Sequence, residues 1–146
     1  MEPLYFGHDE SLFGFYHPAG VGPGGGAVLL NPPLFNDYYR TYQINKELAN
    51  VLSGAGYDVL RFDLSGMGDS AKRLKEVDFV QWQVDVSAAF TEICDLSGYD
   101  TAAVVGIRCS ALLAMSSLES ANVDGLVFWD PVASGADYLQ LLQEIE

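Results

Sequence analysis

The stretch Thr101–Ala114, which reads TAAVVGIRCSALLA, is the starting point for predicting the fold of this 146-residue chain. It begins with an apolar, largely β-branched run at Ala102–Val105, a pattern typical of a strand buried on both faces of a parallel sheet. The small residues that begin at Gly106 predict a tight turn, and the segment Ala111–Leu118 is compatible with a helix. The stretch therefore predicts a buried strand, a tight turn and a helix in direct succession.

This succession is the context of a nucleophile elbow, whose pattern is Gly-x-Ser-x-Gly. Small residues flank the nucleophile in that pattern because the strand and the helix approach each other closely. In this chain Gly106 is the first small residue and Ser110 is the second, so Arg108 occupies the position of the nucleophile. A guanidinium stays protonated at any ordinary pH and cannot attack a carbonyl carbon. The sequence thus predicts the backbone of a hydrolytic site without its usual reacting atom.

The composition disfavours several kinds of partner. Seven basic and 20 acidic residues give a formal net charge of −13, which is unfavourable for binding nucleic acid or an anionic membrane surface. No apolar run approaches the ~20 residues of a membrane-spanning helix, and the N-terminal residues lack the pattern of a signal peptide. We therefore expect a cytoplasmic protein. Cys94 and Cys109 do not have the spacing of a metal site, and we expect neither a metal nor a cofactor.

The segments around the elbow predict an N-terminal β-hairpin, at Leu4–Phe6 and Leu12–Tyr16, followed by alternating strands and helices. The further predicted elements are strands at Ala27–Leu30, Tyr57–Asp63 and Gly125–Trp129 and helices at Asp37–Ser53, Asp78–Leu96 and Ala136–Ile145. Such alternation predicts an α/β protein with a mostly parallel, doubly wound sheet and helices on both faces. Ile44 and Val51 keep helical spacing in the first helix, and an apolar stripe from Phe79 to Leu96 is assigned to the core.

Three motifs accompany the elbow. They are Asn31-Pro32-Pro33 after a strand, Arg61-Phe62-Asp63-x-x-Gly66-x-Gly68-Asp69-Ser70 after the next, and Trp129-Asp130-Pro131 after the last. On these motifs residues 1–146 resemble the N-terminal portion of a single α/β-hydrolase domain, which implies an incomplete α/β-hydrolase fold. More narrowly, the chain resembles the serine-hydrolase-like proteins associated with exosortase and exopolysaccharide gene clusters, whose elbow often reads Gly-x-Arg-x-Gly.

The positions of the histidines indicate that this predicted site is incomplete. In α/β-hydrolases the catalytic residues follow the order Ser, then Asp or Glu, then His along the chain. The two histidines here, His8 and His17, both lie before the elbow. We therefore expect a missing C-terminal half or a partner that supplies the base. A sheet of this length also has an uncovered edge near Leu126–Trp129, which predicts self-association.

Three residues are candidates for the chemistry of a catalytic site. Cys109 is the first candidate nucleophile, because Arg108 and a helix N-terminus would both lower the pKa of its thiol. Ser110 is the second, if the turn is shifted by one position. Asp130 is a possible catalytic acid, because α/β sheets bind ligands at the carboxyl ends of their strands. The structural alternatives are a small buried cysteine, a small or helix-capping serine, and an aspartate that begins a turn.

Arg108 has two interpretations that the sequence leaves open. Its planar fork could bind a carboxylate or a phosphate, or it could form an ion pair within the chain. The predicted intramolecular partners are the acidic residues that follow neighbouring strands, namely Asp63, Asp69 and Asp130.

Oxyanion stabilisation would have to come from the turn after the first parallel strand. Pro32 and Pro33 have no N–H, so Leu34 or Phe35 would be the donor and would contribute to binding.

Two functional hypotheses follow from these residues. The first is an enzyme that hydrolyses an ester, thioester or amide of a small acyl substrate, with Cys109 or Ser110 as nucleophile and the base supplied from elsewhere. The second is a non-catalytic, hydrolase-like module that binds an anionic ligand or a protein through Arg108. A fold alone does not distinguish between these hypotheses.

Overall fold

The computed structural model describes residues 1–144, whose strands and α-helices follow the predicted order. The strands are β1 (Glu2–Phe6), β2 (Leu12–His17), β3 (Ala27–Asn31), β4 (Asp58–Phe62), β5 (Ala103–Ile107) and β6 (Gly125–Trp129). The helices are α1 (Phe35–Gly54), α2 (Phe79–Ser97), α3 (Ser110–Ser117) and α4 (Gly135–Glu144). The predicted boundaries lie within two residues of these, except that Ile145, the predicted end of the last helix, lies outside the described residues.

The six strands form one sheet in the order β1-β2-β4-β3-β5-β6. The predicted hairpin is confirmed, because β1 and β2 pair antiparallel, and β2 then joins β4 antiparallel. The remaining ladders, β3 with β4, β3 with β5 and β5 with β6, are parallel. The register places Asn31, at the end of β3, opposite Gly106 of β5. The turn after β3 and the predicted elbow therefore meet at one edge of the sheet.

Helices cover both faces of the sheet, as the alternation predicts. Helix α1 packs mainly over β4, whereas α2 and α3 pack against each other on the opposite face. Successive residues of a strand point to opposite faces, and the core divides accordingly. In β3, Leu29 packs with α2 and α3, whereas its neighbours Val28 and Leu30 pack with α1.

The apolar stripe of α2 is buried in its middle and exposed at its ends. Its buried members are Trp82, Val86, Ala89, Phe90 and Ile93. Phe79 and Leu96, which the sequence assigned to the core, lie at the two ends of α2 and are 47% and 38% exposed. In α1, Ile44 and Val51 are 47% and 67% exposed although they keep helical spacing. Ile44 and Val51 line an apolar groove between α1 and Trp129 of β6.

The loop after β4 is shaped by its glycine motif. Gly68 has a φ of +51°, and a Cβ at this position would lie 2.1 Å from Oδ2 of Asp63. The backbone N–H of Asp69 donates to this carboxylate (3.0 Å), and the hydroxyl of Ser70 donates to the carbonyl of Asp63 (2.6 Å). Asp63 and Ser70 therefore hold the loop in shape.

Among the helices of residues 1–144, none is both long enough and apolar enough to cross a membrane.

Candidate functional site

The predicted elbow is present at the carboxyl end of β5. Arg108 lies at its apex with a φ of +58°, a left-handed conformation that non-glycine residues rarely adopt. Gly106 lies so close to the start of α3 that a Cβ on it would be 2.6 Å from Cα of Ala111. This close approach of strand and helix is the reason for the small residue at position 106. The backbone of a nucleophile elbow therefore carries an arginine where the pattern has a serine.

Ser110 is fully buried, and its hydroxyl connects three elements. Its Oγ accepts a hydrogen bond from the N–H of Ile107 (2.8 Å) and lies 2.8 Å from the carbonyl of Ile107 and 3.1 Å from that of Asn31. The Asn31 side chain donates in return to the carbonyl of Ser110 (2.9 Å). The N-cap of α3 is Cys109, so Ser110 is the first residue of the helix and not its cap. In this position its hydroxyl is occupied in joining β3, β5 and α3.

Cys109 is 8% exposed, and its thiol does not have the acidity expected from the sequence. Burial is the largest influence and raises the pKa of the thiol, and the negative charge of Asp37 raises it further. The positive charge of Arg108 acts in the opposite direction but has a smaller effect. The expectation of a lowered pKa was therefore wrong, because desolvation of the thiolate outweighs the neighbouring guanidinium.

Arg108 forms ion pairs with two carboxylates. Its Nη1 lies 3.0 Å from Oδ2 of Asp130, and its Nε lies 3.5 Å from Oδ2 of Asp37. Burial on its own would lower the pKa of Arg108, but the two carboxylates outweigh it and raise the pKa. Of the predicted partners, Asp130 is in contact with Arg108. Asp63 instead accepts a hydrogen bond from the hydroxyl of Tyr38 (2.7 Å).

Asp130 lies at the carboxyl end of β6, where the last predicted motif placed it. Its side chain is 72% exposed, compared with 28% for Arg108 and 22% for Asp37. Its backbone also has a positive φ, of +48°. The exposed carboxylate can therefore leave Arg108 at little cost in free energy, because exposed ion pairs are weak, whereas Asp37 is held in the wall of the site.

Two site residues, Asp37 and Tyr138, were missed from the sequence. Asp37 lies in the first turn of α1, and Tyr138 is a buried residue of α4. The hydroxyl of Tyr138 is 3.1 Å from Oδ2 of Asp37 and 3.4 Å from the carbonyl of Leu34. Burial raises the pKa of Tyr138, and Asp37 raises it further, so the phenol stays protonated and can donate. An acidic residue in a first helical turn is common, so the sequence carried no specific signal for this contact.

Leu34 and Phe35, the predicted oxyanion donors, form the beginning of α1. Leu34 is the N-cap and is 2% exposed, and Phe35 follows it with a φ of +52°. The ring of Phe35 packs against Trp82 (5.8 Å between centroids) and Tyr138 (6.5 Å). The first N–H groups of a helix have no partner within the helix, and α1 begins at the same sheet edge as the elbow. This placement is compatible with a donor role, which remains a prediction.

A cleft of about 440 Å³ opens between α1 and the ends of β5 and β6. Its lining combines two arginines and two aspartates with apolar side chains. The lining residues are Asp37, Arg40, Thr41, Ile44, Ile107, Arg108, Trp129 and Asp130. Cys109 and Ser110 are not among them. Of the elbow residues 106–110, Ile107 and Arg108 line the cleft, and Arg108 is the charged one.

Comparison with solved structures identifies the fold as that of the α/β-hydrolases. An α/β serine hydrolase homologue from Coxiella burnetii has a TM-score of 0.70 and 18% identity over 96% of this chain and 67% of that chain. DcsB, solved with a substrate analogue, has a TM-score of 0.73 and 18% identity over 99% of this chain and 52% of its own. A lidless α/β serine hydrolase from Xanthomonas campestris has a TM-score of 0.64 and 17% identity, over 85% and 59%.

The chain therefore spans roughly half to two thirds of the length of these structures. No protein-family model matches the sequence. No curated protein matches it with significance either.

Proposed function

We propose that this protein is a hydrolase-like module that binds an anionic ligand through Arg108. In this proposal the elbow binds the ligand and does not supply a nucleophile. The observation that carries the proposal is the side chain at the apex of the elbow. A guanidinium faces the cleft from the position where the pattern has a nucleophile, and it is held there by Asp37. Its planar fork suits the two oxygens of a carboxylate or a phosphate.

Asp130 is the group that such a ligand would replace. The carboxylate of Asp130 is largely exposed, and an exposed ion pair contributes at most about 1 kcal/mol. A ligand carboxylate that binds Arg108 through both oxygens, and is partly shielded from water by the cleft, has the stronger interaction. Asp37 would stay in place, because Tyr138 also contacts it.

The helix termini favour the same charge. The N-termini of α1 and α3 follow β3 and β5, which are adjacent in the sheet, so both helices begin beside Arg108. The N-terminal end of a helix has a partial positive charge and unpaired N–H groups, which favour a bound anion. Together with Arg108 they offer positive charge and N–H donors to an anion, beside the carboxylates of Asp37 and Asp130.

We expect Arg108→Ala to weaken the binding of acetate, benzoate and inorganic phosphate by about tenfold or more, the loss of one charge-assisted contact. Titration followed by amide chemical shifts would measure each affinity, with Arg108→Lys as the conservative variant. Lysine keeps the charge without the fork and should bind carboxylates with intermediate affinity. Arg73→Ala, at an exposed arginine outside the cleft, is the control. Equal affinities in the original protein and in Arg108→Ala would refute the proposal.

A second candidate function is acyl hydrolysis with Cys109 as nucleophile. The observation that favours it is the fold shared with serine hydrolases, combined with a thiol directly after the elbow apex. The thiolate would attack the carbonyl carbon of an ester, thioester or amide, forming a thioester and releasing the alcohol, thiol or amine. Water would then release the acid and restore the thiol. A base from outside the described residues would have to take the thiol proton.

The two candidates differ in the expected reactivity of Cys109. Under the lead proposal we expect that an activated acetyl ester modifies Cys109 no faster than Cys94, because burial keeps the thiol protonated. Intact mass followed by fragmentation would locate each adduct, and Cys109→Ala and Cys94→Ala are the matched variants. A single rapid adduct that disappears in Cys109→Ala would instead favour the acyl hydrolase over the binding module.

We also propose the narrower relationship to the hydrolase-like proteins of exosortase and exopolysaccharide clusters, and with it a cytoplasmic location. The support is the arginine at the elbow apex, preceded in the chain by the turn at Pro32 and Pro33.

We also keep as proposals the catalytic roles of Ser110 as a nucleophile and of Asp130 as an acid. The geometry favours them less, since the hydroxyl of Ser110 is buried and the carboxylate of Asp130 pairs with Arg108.

A further inference from the structure

The cleft at Arg108 has as many negative as positive side chains. Arg40 and Arg108 line it together with Asp37 and Asp130, so the charges of its walls cancel. A simple anion that binds Arg108 is attracted by two guanidiniums but is repelled by two carboxylates, one of which it has just displaced. Walls with both charges are complementary to a ligand that itself carries both charges.

The two opposite charges at the apex of the elbow lie next to each other. Nη1 of Arg108 is 3.0 Å from Oδ2 of Asp130. In an α-amino acid the ammonium and the carboxylate are attached to the same carbon atom, so they are only two bonds apart. Placed head to tail beside this ion pair, such a ligand brings its carboxylate to Arg108 and its ammonium to Asp130 at the same time. A ligand with widely separated charges does not have this match.

The exposure of Asp130 makes it the acceptor for the ammonium. Its side chain is 72% exposed, and within residues 1–144 its carboxylate has one hydrogen-bonding partner, Arg108. When the carboxylate of a ligand takes its place on Arg108, the freed Asp130 still belongs to the wall of the cleft. Asp37 is less available, because Arg108 and Tyr138 both contact its Oδ2.

The apolar lining of the cleft indicates the side chain of the ligand. Ile44, Ile107 and Trp129 line the same cleft as the four charged residues. Ile44 and Trp129 are 47% and 45% exposed, so a ligand that covers them removes apolar surface from water. The volume of about 440 Å³ lies in the range of small-molecule sites. An aliphatic or aromatic side chain therefore suits this part of the cleft.

We propose that the Arg108 cleft binds a free α-amino acid with an apolar side chain. Its α-carboxylate binds Arg108, and its α-ammonium binds Asp130. Its side chain packs against Ile44 and Trp129. This inference rests on the proposed binding of an anionic group by Arg108, and it adds the requirement for a positive charge on the adjacent carbon.

The first test compares leucine with two analogues that each lack one of its charged groups. Isocaproate keeps the carboxylate and the side chain, whereas isoamylamine keeps the ammonium and the side chain. We expect leucine to bind at least about threefold more tightly than either analogue, in titrations followed by amide chemical shifts. Glycine, which keeps both charges without a side chain, should bind more weakly than leucine. A smaller preference for leucine, equal binding of glycine, or no binding of leucine would overturn the inference.

The second test uses Asp130→Asn, which removes the negative charge that the ammonium requires. Leucine should bind at least about threefold more weakly to this variant, whereas isocaproate should bind more tightly, because asparagine competes less for Arg108. Glu119→Gln, at an exposed residue outside the cleft, removes the same charge from the chain and should preserve the preference for leucine. A preference for leucine that survives in Asp130→Asn would overturn the inference.

Arg108→Ala separates the failure of this inference from the failure of the proposed function. If the variant weakens the binding of isocaproate but the original protein does not prefer leucine, then Arg108 binds carboxylates and only the amino-acid inference is overturned. If the variant binds leucine and isocaproate as tightly as the original protein does, the proposed function fails as well.

Discussion

Replacing Gly106 by alanine is expected to destabilise the protein by about 3 kcal/mol, the upper range for inserting a methyl group where there is no space. A Cβ at this position would lie 2.6 Å from Cα and 2.9 Å from the N of Ala111. Both atoms belong to the backbone, which cannot rotate away as a side chain could. Either β5 or α3 would have to shift, and the hydroxyl of Ser110 would then lose its contacts with Ile107 and Asn31.

Gly135→Ala is the matched control for this measurement. No atom lies within 4 Å of a Cβ built at Gly135, which is the first residue of α4. Alanine is the better helix former, so this variant should be neutral or slightly more stable. Urea denaturation of both variants would give the two free energies of unfolding. A loss of less than about 1 kcal/mol in Gly106→Ala would mean that the elbow is less tightly packed than its geometry implies.

The strands and helices could be predicted almost completely because their sequence signals are local. The parallel strands are short, mostly apolar runs, and α1 and α2 have their own helical periodicity. The elbow was predicted to place Arg108 at its apex, and the φ of +58° at this residue agrees with that position. The order of the strands in the sheet, which places β3 beside β5, was not predicted from the sequence.

The site could be predicted only in part because its contacts are distant in the chain. Arg108 and Asp37 are 71 positions apart, and Tyr138 reaches Asp37 across 101. The pKa of Cys109 was misjudged for a related reason. A neighbouring arginine is visible in the sequence, but the degree of burial that outweighs it depends on how α3 packs against the sheet. The open groove beside α1 was likewise not visible, because periodicity identifies an apolar face without saying what covers it.

The protein is expected to lose about 3 kcal/mol of stability between pH 6.5 and pH 4 through one buried histidine, His17. His17 is 2% exposed at the end of β2, and its Nε2 accepts a hydrogen bond from Nε of Arg61 (3.2 Å). Burial and the positive charge of Arg61 lower its pKa from 6.5 to about 4. The unfolded chain therefore binds a proton below pH 6.5 that the folded protein does not bind until about pH 4. The stabilisation is fully present above pH 6.5 and is lost as the pH falls through this range.

His17→Gln tests this assignment, because a glutamine can still accept from Arg61 but does not titrate. The variant should lose stability at neutral pH and should show a much smaller change between pH 6.5 and pH 4. His8→Gln is the control, since the side chain of His8 is 92% exposed. Carboxylates also bind protons as the pH falls, and burial raises the pKa of one of them, Asp63. The informative quantity is therefore the difference in the free energy of unfolding between the original protein and each variant, measured by urea denaturation at each pH. If the difference between the original protein and His17→Gln stays constant from pH 6.5 to pH 4, then His17 binds protons equally in the folded and unfolded states, which contradicts the prediction.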